Sequence, residues 1–264
     1  MTNNSPKYAL ITGATGAIGK SIARLIAEQH NYHVTIIGRN EEKTNRIADD
    51  IRSESRNPNV DYRICDLSRK EEIKDLAQHW DHPLHVLIND AAVTPRQREE
   101  TPEGIEMQWA TNVLGYFWMM DHFAPILVKY APSRIVNVAS YWAGGLDMND
   151  PEFKKRHYNN DTAYRQSKQA DRMLSAAFAR KLAASNVIVN SCHPGDVRST
   201  LASNLGYGGH ESPDQGAATP FYLASSEEVA GVSGKYFEHM HETTCQFSDN
   251  PKQVELLFQL CSGF

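Results

Sequence analysis

Tyr8-Ala9-Leu10-Ile11-Thr12-Gly13-Ala14-Thr15-Gly16-Ala17-Ile18-Gly19 changes its hydrophobic period halfway along. Tyr8 to Ile11 is a short apolar run that stops at a cluster of glycines, as a buried strand does. From Ile18 to Gln29 the apolar residues Ile18, Ile22, Leu25 and Ile26 fall on one face of a helix. The stretch therefore reads strand, glycine turn, helix. Glycines at such a turn let backbone approach a pyrophosphate. The helix N-terminus adds unpaired N–H groups and a partial positive charge. Gly13, Thr15, Gly16, Ala17, Ile18 and Gly19 are the residues this reading assigns to a dinucleotide.

Outward from that turn the alternation continues. Strands are expected at His33–Ile37, Val60–Cys65, Leu84–Ile88, Arg134–Ala139 and Val187–Cys192. Helices are expected at Glu41–Ser53, Arg69–His79, Thr101–Tyr130 with a break near Pro125, and Asp161–Ser185. Strands this apolar, alternating with helices, imply a parallel sheet covered on both faces. No repeat or linker divides the chain, so residues 1–264 read as one domain, with 1–6 and about 245–264 peripheral. Two irregular stretches, Gly144–Asn160 and Asp196–Pro213, follow strand ends, where ligands bind in open α/β sheets. The second is rich in Gly, Ser and Asn and is expected to be a mobile lid.

The chain has 264 residues, 41% hydrophobic, with a net charge of −5. That supports a sizeable core and gives no footprint for nucleic acid. No apolar run approaches the ~20 residues of a membrane span, and residues 1–7 lack the apolar core of a signal peptide. A soluble cytoplasmic protein is expected. The cysteines Cys65, Cys192, Cys245 and Cys261 are scattered and read as reduced thiols. His79, His82 and His85, or His239 and His241 with Cys245, match no established zinc spacing, and no metal is expected.

The second strand ends in Gly38-Arg39-Asn40. An acidic residue near this point would bind the ribose 2′-hydroxyl of NAD. Arg39 suits a 2′-phosphate instead, so NADP(H) is the expected cofactor. Farther on, Tyr164 and Lys168 stand four apart, on one face of the expected helix. A fixed ammonium favours a phenolate and lowers the tyrosine pKa from about 10. The pair can then exchange a proton with a carbinol oxygen. Ser140, 24 residues before Tyr164, is placed to hydrogen-bond the same oxygen.

These residues together resemble the short-chain dehydrogenase/reductase family over about residues 7–240, nearest its retinol dehydrogenase and WW-domain oxidoreductase branch. The resemblance implies a Rossmann-type doubly wound parallel sheet, flanked by helices on both faces. It implies that Asp66-Leu67 flank the adenine and that Asn112, in Thr111-Asn112, is a fourth catalytic residue holding a water. It further implies that Lys168 grips the nicotinamide ribose, and that Pro194, Gly195, Val197 and Ser199 or Thr200 hold the nicotinamide. Asn89 and Ala91 match the family's Asn-Asn-Ala-Gly after the fourth strand, whereas Asp90 and Ala92 do not. Ala17 stands where the short form has glycine. The glycine spacing is closer to the extended sugar-nucleotide branch, but about 70 residues after Pro194-Gly195 are too few for that branch's C-terminal domain.

The expected activity is reversible hydride transfer between NADP(H) and a carbonyl or alcohol, with reduction of an apolar or aromatic aldehyde or ketone favoured. Catalysis falls to Asn112, Ser140, Tyr164 and Lys168. Val93, Tyr141, Trp142, Leu146 and Tyr207 are expected around the nicotinamide. Arg96 and Arg98 read as solvated loop residues. The other readings are a non-catalytic NADP(H) sensor or scaffold on the same fold, and an isomerase or lyase that uses bound NAD(P) transiently. Partners are a small-molecule carbonyl or alcohol, without nucleic acid or membrane span. The Gly144–Asn160 segment is expected to pack over the Tyr-Lys helix, through which family members often pair. A monomer or dimer is then favoured over a tetramer.

Overall fold

The computed structural model describes residues 5–264. The strands are β1 (Lys7–Ile11), β2 (Tyr32–Gly38), β3 (Val60–Ile64), β4 (Val86–Asn89), β5 (Ser133–Val138), β6 (Val187–His193), β7 (Tyr236–Glu238) and β8 (His241–Thr243). They form one sheet in the order β3-β2-β1-β4-β5-β6-β7-β8. Pairing is parallel from β3 to β7, and β8 closes the edge antiparallel. The order reverses between β1 and β4, the switch point where an open α/β sheet leaves a crevice.

The period-two alternation of the strands divides the core into two layers. Ala9 and Ile11 of β1 and Val86 and Ile88 of β4 face one layer. It is completed by the helices α1 (Ala17–Ala27), α2 (Glu41–Ser55) and, later in the chain, Pro213–Ser225. Leu10 and Leu87 face the other layer, with α3 (Lys70–Gln78), α4 (Gly115–Lys129) and α5 (Asn160–Lys181). After β6 come α6 (Thr200–Asn204), the Pro213–Ser225 helix as α7, and α8 (Pro251–Ser262).

Several boundaries differ from expectation. The helix expected from Thr101 starts only near Trp109. Thr101 and Ile105 close a turn around Gly104 at φ +82°, and the Glu106 carboxylate accepts from Gln108 N and Trp109 N as a cap. The segment Trp109–Leu114 is a π-helix, and α4 then runs unbroken through Pro125. α5 ends at Lys181 rather than Ser185. The expected lid is not wholly irregular, since it carries α6 and a bridge between Val197 and Glu211. The C-terminal stretch, expected to be peripheral, carries α8, whose Val254, Leu257 and Cys261 are fully buried against the α5 layer. At the other end, residues 1–4 lie outside the described residues, and Ser5 and Pro6 are exposed.

Candidate active site

A cleft of about 860 Å³ follows the C-terminal edge of the sheet across the β1/β4 switch point. Its floor is shaped by residues without side chains. A Cβ on Gly13, which has φ +74°, would meet Ala91 N at 2.6 Å, so the first turn lies directly against the segment after β4. Gly16 occupies the cap position of α1 and has no side chain to cap that helix. The N–H groups of Ala17 and Ile18, which line the cleft, are thus left for an anion. Gly13, Thr15, Gly16, Ala17 and Ile18 line the cleft, whereas Gly19 lies behind the turn. Exposed Arg39 stands at the far end with Lys43, whose position in the first turn of α2 is fixed by the Asn40 cap. The bare turn fits the pyrophosphate of a dinucleotide, and the two cations make the far end of the cleft positive.

At the opposite end Ser140, Tyr164 and Lys168 come together. Tyr164 and Lys168 project from the face of α5 that meets the sheet, and Ser140 follows β5. The Lys168 ammonium is 3% exposed and lies 5.9 Å from the Tyr164 ring centre and 4.8 Å from that of Tyr116. It donates to Val138 O and to Asp171 Oδ2, both at 2.9 Å. Arg172 Nη2 donates to Ser140 O at 2.8 Å. Burial alone would lower the Lys168 pKa, but the Asp171 carboxylate, then Tyr164 and Asp90, raise it. The ammonium therefore stays charged.

The tyrosine pKa corrects an expectation. Lys168 and the Ser140 hydroxyl do pull the Tyr164 phenol down, but burial pushes it up more strongly, and Asp171 and Asp90 add to the rise. The net shift is upward. Burial of the phenol outweighs the lysine's effect.

Asn112 sits in the π-helix and does not line the cleft. Its side chain is tied to the loop after β4, accepting from Val93 N at 2.8 Å and donating to Val93 O at 3.0 Å. Asn89 is likewise behind the cleft, donating to Asn137 Oδ1 at 2.8 Å. Asp66, Leu67 and Ala91 line the middle of the cleft, and Pro194, Gly195, Val197, Ser199 and Thr200 line the end near Tyr164. The Ser199 hydroxyl already accepts from Ala202 N as the cap of α6, which leaves Thr200 as the less committed hydroxyl.

Val93, Trp142 and Tyr207 line the cleft as expected, and Trp142 meets Tyr207 edge-on, ring centres 3.7 Å apart. Leu146 does not: it packs against the core below α5. Tyr141 stands at the rim, edge-on to His193 at 4.5 Å. Arg98 is held by Glu100 and Glu152 O rather than freely solvated. Sequence reading missed Lys43, Asp171, Arg172 and His193. Asp171 and Arg172 stand three and four residues after Lys168, on the same helical face, and that spacing was the available signal.

The sequence profile of the family described as short chain dehydrogenase matches residues 7–207. Human retinol dehydrogenase 13 is 34% identical over 256 residues, covering 89% of this chain and 77% of that protein. Human polyprenol dehydrogenase is 31% identical over 259 residues, covering 90% and 78%. Among solved structures, the RhlG/NADP complex of Pseudomonas aeruginosa superposes with a TM-score of 0.71 at 23% identity, covering 88% of this chain and 94% of that one, a likeness of fold. With its doubly wound sheet, its bare glycine turn and a matching profile over most of its length, the chain belongs to the short-chain dehydrogenase/reductase family of oxidoreductases.

Proposed function

We propose that this protein is an NADPH-dependent reductase of apolar or aromatic aldehydes and ketones. The observation that carries the reading is one continuous cleft with Arg39 and Lys43 at one end and Ser140, Tyr164 and Lys168 at the other. The nicotinamide supplies the hydride when the cofactor is bound. Arg39 and Lys43 bind the 2′-phosphate through charge-assisted bonds. The N–H groups at the start of α1 bind the pyrophosphate, and Asp66 and Leu67 bracket the adenine. Pro194, Gly195, Val197 and Thr200 hold the nicotinamide face.

Ser140 donates a hydrogen bond to the substrate oxygen, and the Arg172 contact at the Ser140 carbonyl fixes its backbone. Tyr164 delivers the proton to that oxygen as general acid. Its raised pKa keeps it protonated through neutral pH, which suits donation and therefore reduction. Lys168, held charged by Asp171, stabilises the phenolate as it forms. Asn112 pins the loop after β4 from its place in the π-helix. Trp142, Tyr207 and Val93 give the substrate end an apolar wall. Retinol and polyprenol, for which two relatives are named, are themselves apolar alcohols. With α8 covering α5, the enzyme works as a monomer.

Titration with NADPH and NADH, followed by nicotinamide fluorescence, tests the cofactor end. The expectation is NADPH at least tenfold tighter, a margin removed in R39A/K43A with NADH binding unchanged. This is the scale of one or two charge-assisted bonds, about 1.5–3 kcal/mol each. Equal affinity in the wild type would overturn the 2′-phosphate assignment. Loss of NADPH absorbance with a panel of aromatic aldehydes tests the chemistry.

A further inference from the structure

The cleft contains one carboxyl group that the proposed reaction does not use. Asp90 follows β4 and lines the cleft beside Gly13, Gly16 and Ile18. Its backbone is fixed, since Asp90 N donates to Thr12 Oγ1 at 3.0 Å. Its side chain reaches under the glycine turn to the start of α1. There it lies against Gly19, on which a Cβ would sit 2.7 Å from Asp90 Oδ2, and the Gly19 N–H favours its ionised form. The carboxyl therefore stands at the same helix N-terminus whose Ala17 and Ile18 N–H groups would bind a pyrophosphate.

We propose that Asp90 couples dinucleotide binding to a proton: the cofactor binds tightly only when Asp90 is a neutral acid, so binding draws a proton into the site. The inference rests on the cofactor reading above. A helix N-terminus stabilises one anion well. Two anions sharing it repel each other in a low-dielectric cleft. A neutral carboxyl removes that conflict. Its carbonyl oxygen still faces the Gly19 N–H as an acceptor, and its O–H presents a donor, as an amide would.

The surroundings favour the neutral form. Residues 13–19 carry no titratable side chain. From α5, Lys168 pulls Asp90 towards ionisation, but that ammonium is already paired with Asp171. Tyr164 on α5, Tyr116 on α4 and Cys192 on β6 also face Asp90, all three held protonated by burial. Burial pushes the Asp90 carboxyl up to about 8, with Lys168 and the Gly19 N–H only partly offsetting it. Dinucleotide phosphates arriving beside it raise it further.

Calorimetric titration with NADPH, in buffers of different ionisation heat from about pH 6.5 to about pH 9, counts the protons taken up. NADH serves as a second probe without the 2′-phosphate. In the wild type the expectation is uptake approaching one proton per cofactor above about pH 8. The Kd should then rise by up to about tenfold per pH unit for both probes. D90N should take up no such proton and show a flat profile with NADH. Equal uptake and equal pH slopes in the two proteins overturn the proposal. Should D90N fail to fold, the wild type with NADH decides: no uptake between about pH 7.5 and about pH 9 is equally fatal. Binding without this uptake sinks the coupling alone. A wild type that binds neither probe at any pH sinks the cofactor reading and the coupling with it.

Discussion

Tyr164 holds its proton more tightly than a free tyrosine because it is buried among acids as well as beside an ammonium. The Tyr-x-x-x-Lys spacing was legible in the sequence, since it needs only a helix. The opposing charges were not. Asp171 stands three residues past Lys168, but its weight depends on both side chains being buried at 2.9 Å, which spacing alone does not reveal. Tyr164→Phe keeps the ring and removes the proton, so NADPH affinity should stay within about twofold while reductase turnover falls by at least about 10²-fold. Most turnover surviving in this variant would remove Tyr164 from the chemistry. Asp90 was legible as a departure from the family pattern, but its place under Gly19 was not. Its pKa also makes a stability statement. An unfolded Asp titrates near 3.9 and the folded one at about 8, so between these values the folded protein holds a proton that the unfolded chain lacks. Stability contributed by that proton is full below pH ~4, declines as pH rises and is gone above about 8. The advantage of D90N over wild type in thermal unfolding should therefore grow from acidic to alkaline pH. An advantage independent of pH would mean that Asp90 is already ionised in the folded protein.

At the scale of elements, the strands were legible because each is an apolar run whose alternate residues enter opposite core layers. The interruptions were harder. The π-helix at Trp109–Leu114 carries no sequence mark, and the late start of that helix depends on a Glu106 cap that reads like any other glutamate. The Gly, Ser and Asn content of the segment after β6 predicts a loose lid, yet the segment is closed by backbone contacts. Arg198 N donates to Glu211 O at 3.1 Å, and His210 N and Glu211 N donate to Asp196 O at 2.8 and 3.0 Å. Asn160 Nδ2 ties α5 to Asn204 O, and Tyr207 reaches Asp161. Gly209 permits this closure. It has φ +58°, and a Cβ there would lie 2.6 Å from Arg198 N and Val197 O. Gly209→Ala should force residues 196–213 away from the cleft. The expected result is faster proteolysis confined to that segment and a several-fold rise in the KM for carbonyl substrate, with the unfolding midpoint nearly unchanged. A wild-type proteolysis pattern would show that the segment opens without strain at Gly209.

At the scale of the whole molecule, α5 is buried on all sides along its second half: every residue from Ala170 to Ala179 is buried. The sheet covers one side and α4 another. The Gly144–Asn160 segment meets the start of α5, where Gln166 donates to Pro151 O and Arg156 to Gln166. The remaining face belongs to α8, with Phe258 packed edge-on to Phe117 at 5.0 Å and tilted against Phe178 at 5.3 Å. The sequence pointed to the Gly144–Asn160 segment as the cover of α5 but not to α8, which is short and distant in the chain. The α5 face is thus already covered within its own chain, and the single leucine that α8 turns outwards, Leu256, is too small a patch to need a second copy. Light scattering should therefore return a single chain of 29.6 kDa across a wide concentration range. Leu257→Ala leaves a cavity between α8 and α5 and should cost about 2–5 kcal/mol of stability. By loosening α8 it should also uncover α5 and introduce concentration-dependent association that the wild type lacks. A wild-type tetramer would mean that copies pair through a surface other than the covered face of α5. A stable, monomeric L257A would mean that α8 only rests on the core.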